Sequence, residues 1–266
     1  MTVFKTKIMA IFHQKETEHS VSESFDVDKV IERAHVLQNQ GADIIDIGAA
    51  TALLGVSSVT AQEERECLVP VLKAVKSALR IPVSLDVLHL EVAQEALFLG
   101  ADLINDLSGF RDPVMRRIAA NAHADICIVH RPQHLLTAQH RSLYETAVLE
   151  ESIDWLDKQT RLLLHDGVES HRIIIDPGIG LGKTQEENFA ILRHIKKYQE
   201  LGFRMSMKID HKSLFSSQLH SDSNRILPAM VALNTFFMLS HVYIIRVHDV
   251  QAHRDAFNYL YAIINP

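Results

Sequence analysis

Two cysteines in 266 residues leave no disulfide framework and no metal knuckle to read. Cys67 and Cys127 fall in a predicted helix and a predicted strand, where a thiol behaves as a small buried apolar group. The 16 histidines are scattered, with no His-Glu-x-x-His run and no Cys/His cluster, so the chain carries no zinc signature. No apolar run reaches the roughly 18 residues that a membrane span needs. The N-terminus lacks the basic-then-apolar build of a secretory leader, and a cytoplasmic protein is expected. Positive charge is not in excess either. The formal net charge of −6 argues against a nucleic-acid surface spread over the protein, and neither a nucleic acid nor a membrane is expected as a partner. No stretch rich in Pro, Gly or Ser divides the chain.

What is present is a soluble, globular composition, 47% hydrophobic and 23% charged. Strand and helix patterns alternate along the whole length. Short apolar runs read as strands at 7–12, 44–48, 82–86, 102–106, 125–129, 173–176, 204–209 and 242–247. Segments of helical period lie between them, at 28–40, 62–79, 90–99, 113–121, up to 164, 186–199, 227–239 and 251–264. Eight such units without a linker imply one domain over residues 1–266, an α/β fold of the single (β/α)8 TIM-barrel kind. The triplet Gly-Ala-Asp precedes a strand twice, at 41–43 and 100–102, and reads as a repeated helix-to-strand joint.

One stretch organises the rest. Ile173-Ile174-Ile175 is a β-branched run of the kind buried on both faces of a parallel sheet. It ends at Asp176, then Pro177, Gly178, Ile179, Gly180, Leu181, Gly182 and Lys183. An acid therefore sits at the mouth of a buried strand, before a loop whose backbone can approach a ligand closely. Gly182-Lys183-Thr184 is not a phosphate-binding P-loop, because Pro177 occupies the place of that motif's first glycine.

Asp86, Asn105, Asp176, Lys212, Arg246 and His248 all fall at strand C-terminal ends, which in a barrel converge on one face. Two acids and an amide suit a flat heterocycle bearing ring N–H and amino groups. Lys, Arg and His suit an oxygen or a phosphate. The set points to a heterocycle carrying an anionic group. The alternative for the same residues is an internal salt-bridge network closing the barrel top; Asp106 and Asp249 taken singly are as easily structural.

The motifs resemble those of dihydropteroate synthases. The matching segments are Gly41-Ala-Asp-Ile-Ile-Asp-Ile-Gly48, Ser84-Leu-Asp86, Ile104-Asn-Asp-Leu-Ser-Gly109, Asp176 to Lys183, Lys212-Ser213 and Arg246-Val-His-Asp-Val250, in family order and over nearly the whole chain. A family of corrinoid-linked methyltetrahydrofolate methyltransferases shares the pterin pocket. The resemblance implies that Asp86, Asn105 and Asp176 bond the dihydropterin edge, with Lys212 on the opposite side. It implies catalytic roles for Lys212, Arg246 and His248, the last two holding the leaving diphosphate. It further implies condensation of p-aminobenzoate with 6-hydroxymethyl-7,8-dihydropterin diphosphate, Mg²⁺ on the diphosphate, and a homodimer.

The departures lie on the second-substrate side. The family's first loop reads Asn-Val-Thr-Pro-Asp-Ser-Phe, where this chain has His13 to Ser20, with Ser24-Phe25 as a remnant. His13 replaces the metal-contacting Asn and is the one metal-ligand candidate, although imidazole is not a hard oxygen donor. Thr51-Ala-Leu-Leu-Gly55 stands for Ser-Thr-Arg-Pro-Gly, and Asp210-His211-Lys212 for Ser-Arg-Lys. Leu181 replaces a phenylalanine. These changes leave a non-catalytic pterin-binding homologue, or another pterin-using transferase, as the competing expectations.

Overall fold

The computed structural model describes residues 5–13, 27–48, 60–132, 145–209, 214 and 223–264. Eight parallel strands close into a barrel in sequence order: β1 Lys7–His13, β2 Ile44–Gly48, β3 Val83–Val87, β4 Leu103–Asp106, β5 Asp125–Val129, β6 Ile173–Asp176, β7 Arg204–Lys208 and β8 Ile244–Val247. The helices around it are α1 Val27–Asn39, α2 Ala61–Ala78, α3 Leu90–Phe98, α4 Pro113–Asn121, α5 Glu145–His165, α6 Gln185–Arg193, α7 Ile195–Gln199, α8 Ser223–Leu239 and α9 Val250–Ile264. This is the (β/α)8 barrel that the alternating pattern implied.

Local chemistry fixes the ends of these elements. Thr60 and Glu63 form a reciprocal capping box at the start of α2, and Thr184 and Glu187 form another at the start of α6. Asp112 caps α4 through the Val114 N–H, with Pro113 in the first turn where its missing N–H costs nothing. The two Gly-Ala-Asp triplets are the same joint. Gly41 and Gly100 take positive φ after a helix, and the next aspartate accepts from the strand before it. Asp43 takes the Ile8 N–H and Asp102 the Val83 N–H. Arg254 and Lys76 neutralise the two carboxylates.

The sequence reading differs from the structure in detail. The helix expected over 186–199 breaks at His194, whose φ of −113° and ψ of 27° leave the helical region. The helix expected from 227 begins at Ser223 and runs through Pro228. β7 stops at Lys208, one residue early.

The strand registers stack the inward side chains in layers, each from alternate strands. The lowest full layer is Ile44, Leu103, Ile174 and Ile244, and above it lie Met9, Ser84, Cys127 and Ser206. The apolar members of both pack as one cluster inside the barrel, separate from the larger core between sheet and helices. The third layer is Asp46, Asn105, Asp176 and Arg246. The fourth is Ile11, Asp86, Val129 and Lys208. The interior thus changes from apolar to polar or charged within two residues on β2, β4, β6 and β8, and from serine to charge on β3 and β7, while β1 and β5 stay apolar through Ile11 and Val129.

Candidate active site in the upper barrel

Of the six residues that sequence brought together, the structure places four in the third and fourth layers. Asp86, Asn105, Asp176 and Arg246 are all buried. His248 lies just beyond β8 and is exposed. Lys212 lies outside the described residues, as do Asp210, His211 and the loop at Thr51 to Gly55. His13 ends β1, and its side chain is likewise outside what is described.

Arg246 is the centre of the cluster. Its Nη2 reaches both oxygens of Asp86 at 2.7 Å and Asp46 Oδ2 on the neighbouring wall. Burial opposes the guanidinium charge, but the carboxylates of Asp46, Asp86 and Asp176 more than offset this and raise its pKa above the ordinary value. The alternative of an internal salt-bridge network therefore holds for this part of the set. Arg246 Nε is buried without a hydrogen-bond partner among the described residues.

Asn105 Nδ2 donates to Asp46 Oδ1 at 3.0 Å and to Ser84 Oγ at 2.7 Å, which fixes its amide and turns its carbonyl away from them. Asp176 Oδ1 accepts the Gly178 N–H at 2.8 Å. Burial raises the pKa of Asp176, with Arg246 opposing. Burial also raises Asp46, to about 6, again against Arg246.

The loop after β6 is held from below. Lys183 is buried and donates to the carbonyls of Gly178, at 2.8 Å, and His130, at 3.2 Å. Burial lowers its pKa to about 7, with Asp176 and Glu187 opposing. Gly178 has a φ of +69°, and a Cβ there would meet the His130 carbonyl oxygen at 2.0 Å. No other residue fits between β6 and β5. His130 is buried against Trp155, and burial, with Lys183 and Arg111, lowers its pKa to about 3, so it is neutral. Leu181 packs against the inner cluster.

Two acids near the site are structural. Asp106 accepts from Ser108 N, Ser108 Oγ and Phe110 N, each at 2.7 Å, and so shapes the loop after β4. Asp249 accepts the Ala252 N–H at the start of α9.

Sequence reasoning missed two residues. Asp46 and Lys208 share the charged layers, but Asp46 lies inside β2, and Lys208 ends a β7 that the sequence reading carried on to residue 209. The period of two was the available signal: Ile44 and Asp46 face one way, as do Ser206 and Lys208.

The residues described do not fit a resident Mg²⁺. Asp46 and Asp86 are engaged by Arg246, and no group of three or more His, Cys, Asp or Glu converges among the described residues. A hard cation needs several oxygen ligands.

Residues 16–248 match the model of a family described as pterin binding enzymes. A dihydropteroate synthase of Clostridium beijerinckii is 30% identical over 249 residues, covering 92% of this chain and 90% of that protein. The chain belongs to the dihydropteroate synthase family. Solved structures agree with that membership. The Anaplasma phagocytophilum enzyme with bound 6-hydroxymethylpterin-monophosphate superposes with a TM-score of 0.84 at 33% identity, covering 97% of this chain and 99% of that one. The Thermus thermophilus enzyme in complex with 4-aminobenzoate gives 0.82 at 32% identity, covering 99% and 96%. Among the described residues no helix is long and apolar enough to cross a membrane.

Proposed function

We propose that this member of the family is a transferase of folate biosynthesis that joins p-aminobenzoate to 6-hydroxymethyl-7,8-dihydropterin diphosphate and releases diphosphate. The observation that carries this reading is the pair of charged layers on top of an apolar barrel interior. Asp86, Asn105 and Asp176 offer acceptors to the amino and ring N–H groups of a pterin. In the reaction the bond from methylene carbon to diphosphate oxygen breaks, and its electron pair leaves with the diphosphate. The arylamine nitrogen then forms the new C–N bond and gives up one proton to solvent. Little covalent work falls to the protein, so its contribution is positioning and charge stabilisation.

His248, at the rim above Arg246, is suited to the diphosphate. Arg246 supports the same role only at a distance, because its Nη2 is already bonded to Asp46 and Asp86. Lys212 lies outside the described residues and keeps the pterin-binding role that the family motifs imply. Mg²⁺ enters no step of this account. A homodimer fits the exposed apolar side chains Phe236 and Leu239 on α8 and Tyr259 and Ile263 on α9.

A turnover assay with both substrates, with and without Mg²⁺, tests the reading. Dihydropteroate is the expected product; its absence at saturating substrate overturns the activity. Calorimetry then separates the remaining possibility. Retained binding of the dihydropterin without turnover would assign a binding role, which the altered loops favour.

A further inference from the structure

Lys208 has no part in the reading above. It is the last residue of β7 and pairs with Arg246 of β8. The registers put it in the fourth inward layer, facing Asp86 across the barrel mouth. The charged groups around it are Arg246, Asp86, Asp46 and Asp176, one cation and three acids. Both cations share those acids, but they are placed differently. Arg246 is bonded to two carboxylates. Lys208 makes no hydrogen bond and no ion pair with any described residue, although it is only partly exposed.

An ammonium held among acids yet bonded to none of them is costly to the protein alone. It has three N–H donors and no acceptor capacity. The matching ligand group is a hydrogen-bond acceptor within a ring-sized distance of the carboxylates. A dihydropterin has such a group. Its amino and ring N–H donors lie along one edge, and the carbonyl oxygen with the neighbouring ring nitrogen lies along another. Asp176, on β6 beside β7, takes the first edge, which leaves the neighbouring carbonyl edge within reach of β7.

We propose that Lys208 is a further pterin-binding residue, donating from inside the barrel to the carbonyl edge of the dihydropterin ring. This rests on the pterin reading of the site. It gives the ring a cationic partner in the fourth layer, below the rim where the diphosphate would lie.

The test is calorimetric titration of wild type, K208M and K208R with 6-hydroxymethylpterin, which lacks a diphosphate, and with 6-hydroxymethyl-7,8-dihydropterin diphosphate. K208M is expected to weaken both ligands at least tenfold and by the same factor, while K208R keeps part of the affinity. Unchanged affinity overturns the proposal. So does a loss confined to the diphosphate ligand, which would place Lys208 on the anion. K208M is expected to melt close to wild type, since no bond of the fold is lost. If both K208M and K208Q collapse in a thermal melt, the lysine belongs to the fold's own charge network and the proposal fails. Wild type that binds neither ligand removes the pterin reading itself, a result distinct from all of these.

Discussion

The two walls of the barrel mouth handle buried charge in opposite ways. On β2, β3 and β8, Asp46, Asp86 and Arg246 satisfy one another, and Asn105 is drawn in through Asp46. On β6 and β7, the Asp176 carboxylate accepts a loop N–H and Lys208 has no bonded partner among the described residues. The first wall is largely paired within the protein, with Arg246 Nε and the remaining acceptor capacity of Asp86 left over among the described residues. The second is unfinished in a way a ligand would complete. A buried ion pair is weak evidence for stability, but removing one partner of it is strongly destabilising. Hence the closed wall should fail by unfolding and the open wall by losing ligand.

The largest effect tests the closed wall. Arg246→Met leaves two buried carboxylates without their cation and should cost about 3–5 kcal/mol in denaturant unfolding. A loss below about 1 kcal/mol would show that the wall is not held by this pair. On the open wall, Asp176→Asn exchanges a carboxylate accepting from two donors for an amide with one acceptor oxygen. Losing a charge-assisted bond of about 1.5–3 kcal/mol should lower pterin affinity by one to two orders of magnitude, read by titration. Unchanged affinity would contradict the assignment.

Lys183→Met removes the clamp beneath the open wall and strands the carbonyls of Gly178 and His130. About 1–3 kcal/mol of stability should go with it. The same lysine sets a pH slope. Its pKa falls from 10.5 to about 7 on folding, so the unfolded chain takes up the proton first as pH drops through that window. Stability should decline from pH 10.5 to 7 and level off below, and Lys183→Met should flatten that arm. Asp46 acts in the other direction: with its carboxyl raised from 3.8 to about 6, it makes stability fall as pH rises through that range. The smallest change is Thr184→Ala, which deletes the cap of α6 behind the open wall. It should cost about 1 kcal/mol and leave pterin affinity unaltered.

Much of this was legible in the residue order. β-branched runs separated by helical periods fixed eight units, and Gly-Ala-Asp marked two joints that the structure builds identically. Of the set expected at strand ends, the structure brings Asp86, Asn105, Asp176 and Arg246 into two adjacent buried layers. The reading went short where it treated strand ends as the whole site. Asp46 sits among isoleucines, and propensity gives no reason for it; its cause is Arg246, 200 residues away.

The sequence by itself determined the barrel, its closure in chain order and the kind of groups gathered at one end, because period and capping are local properties. The tertiary structure decided which of those groups spend their charge on each other. Parallel register brings residues of distant strands to one level, and at that level pairing depends on distances that no spacing along the chain encodes.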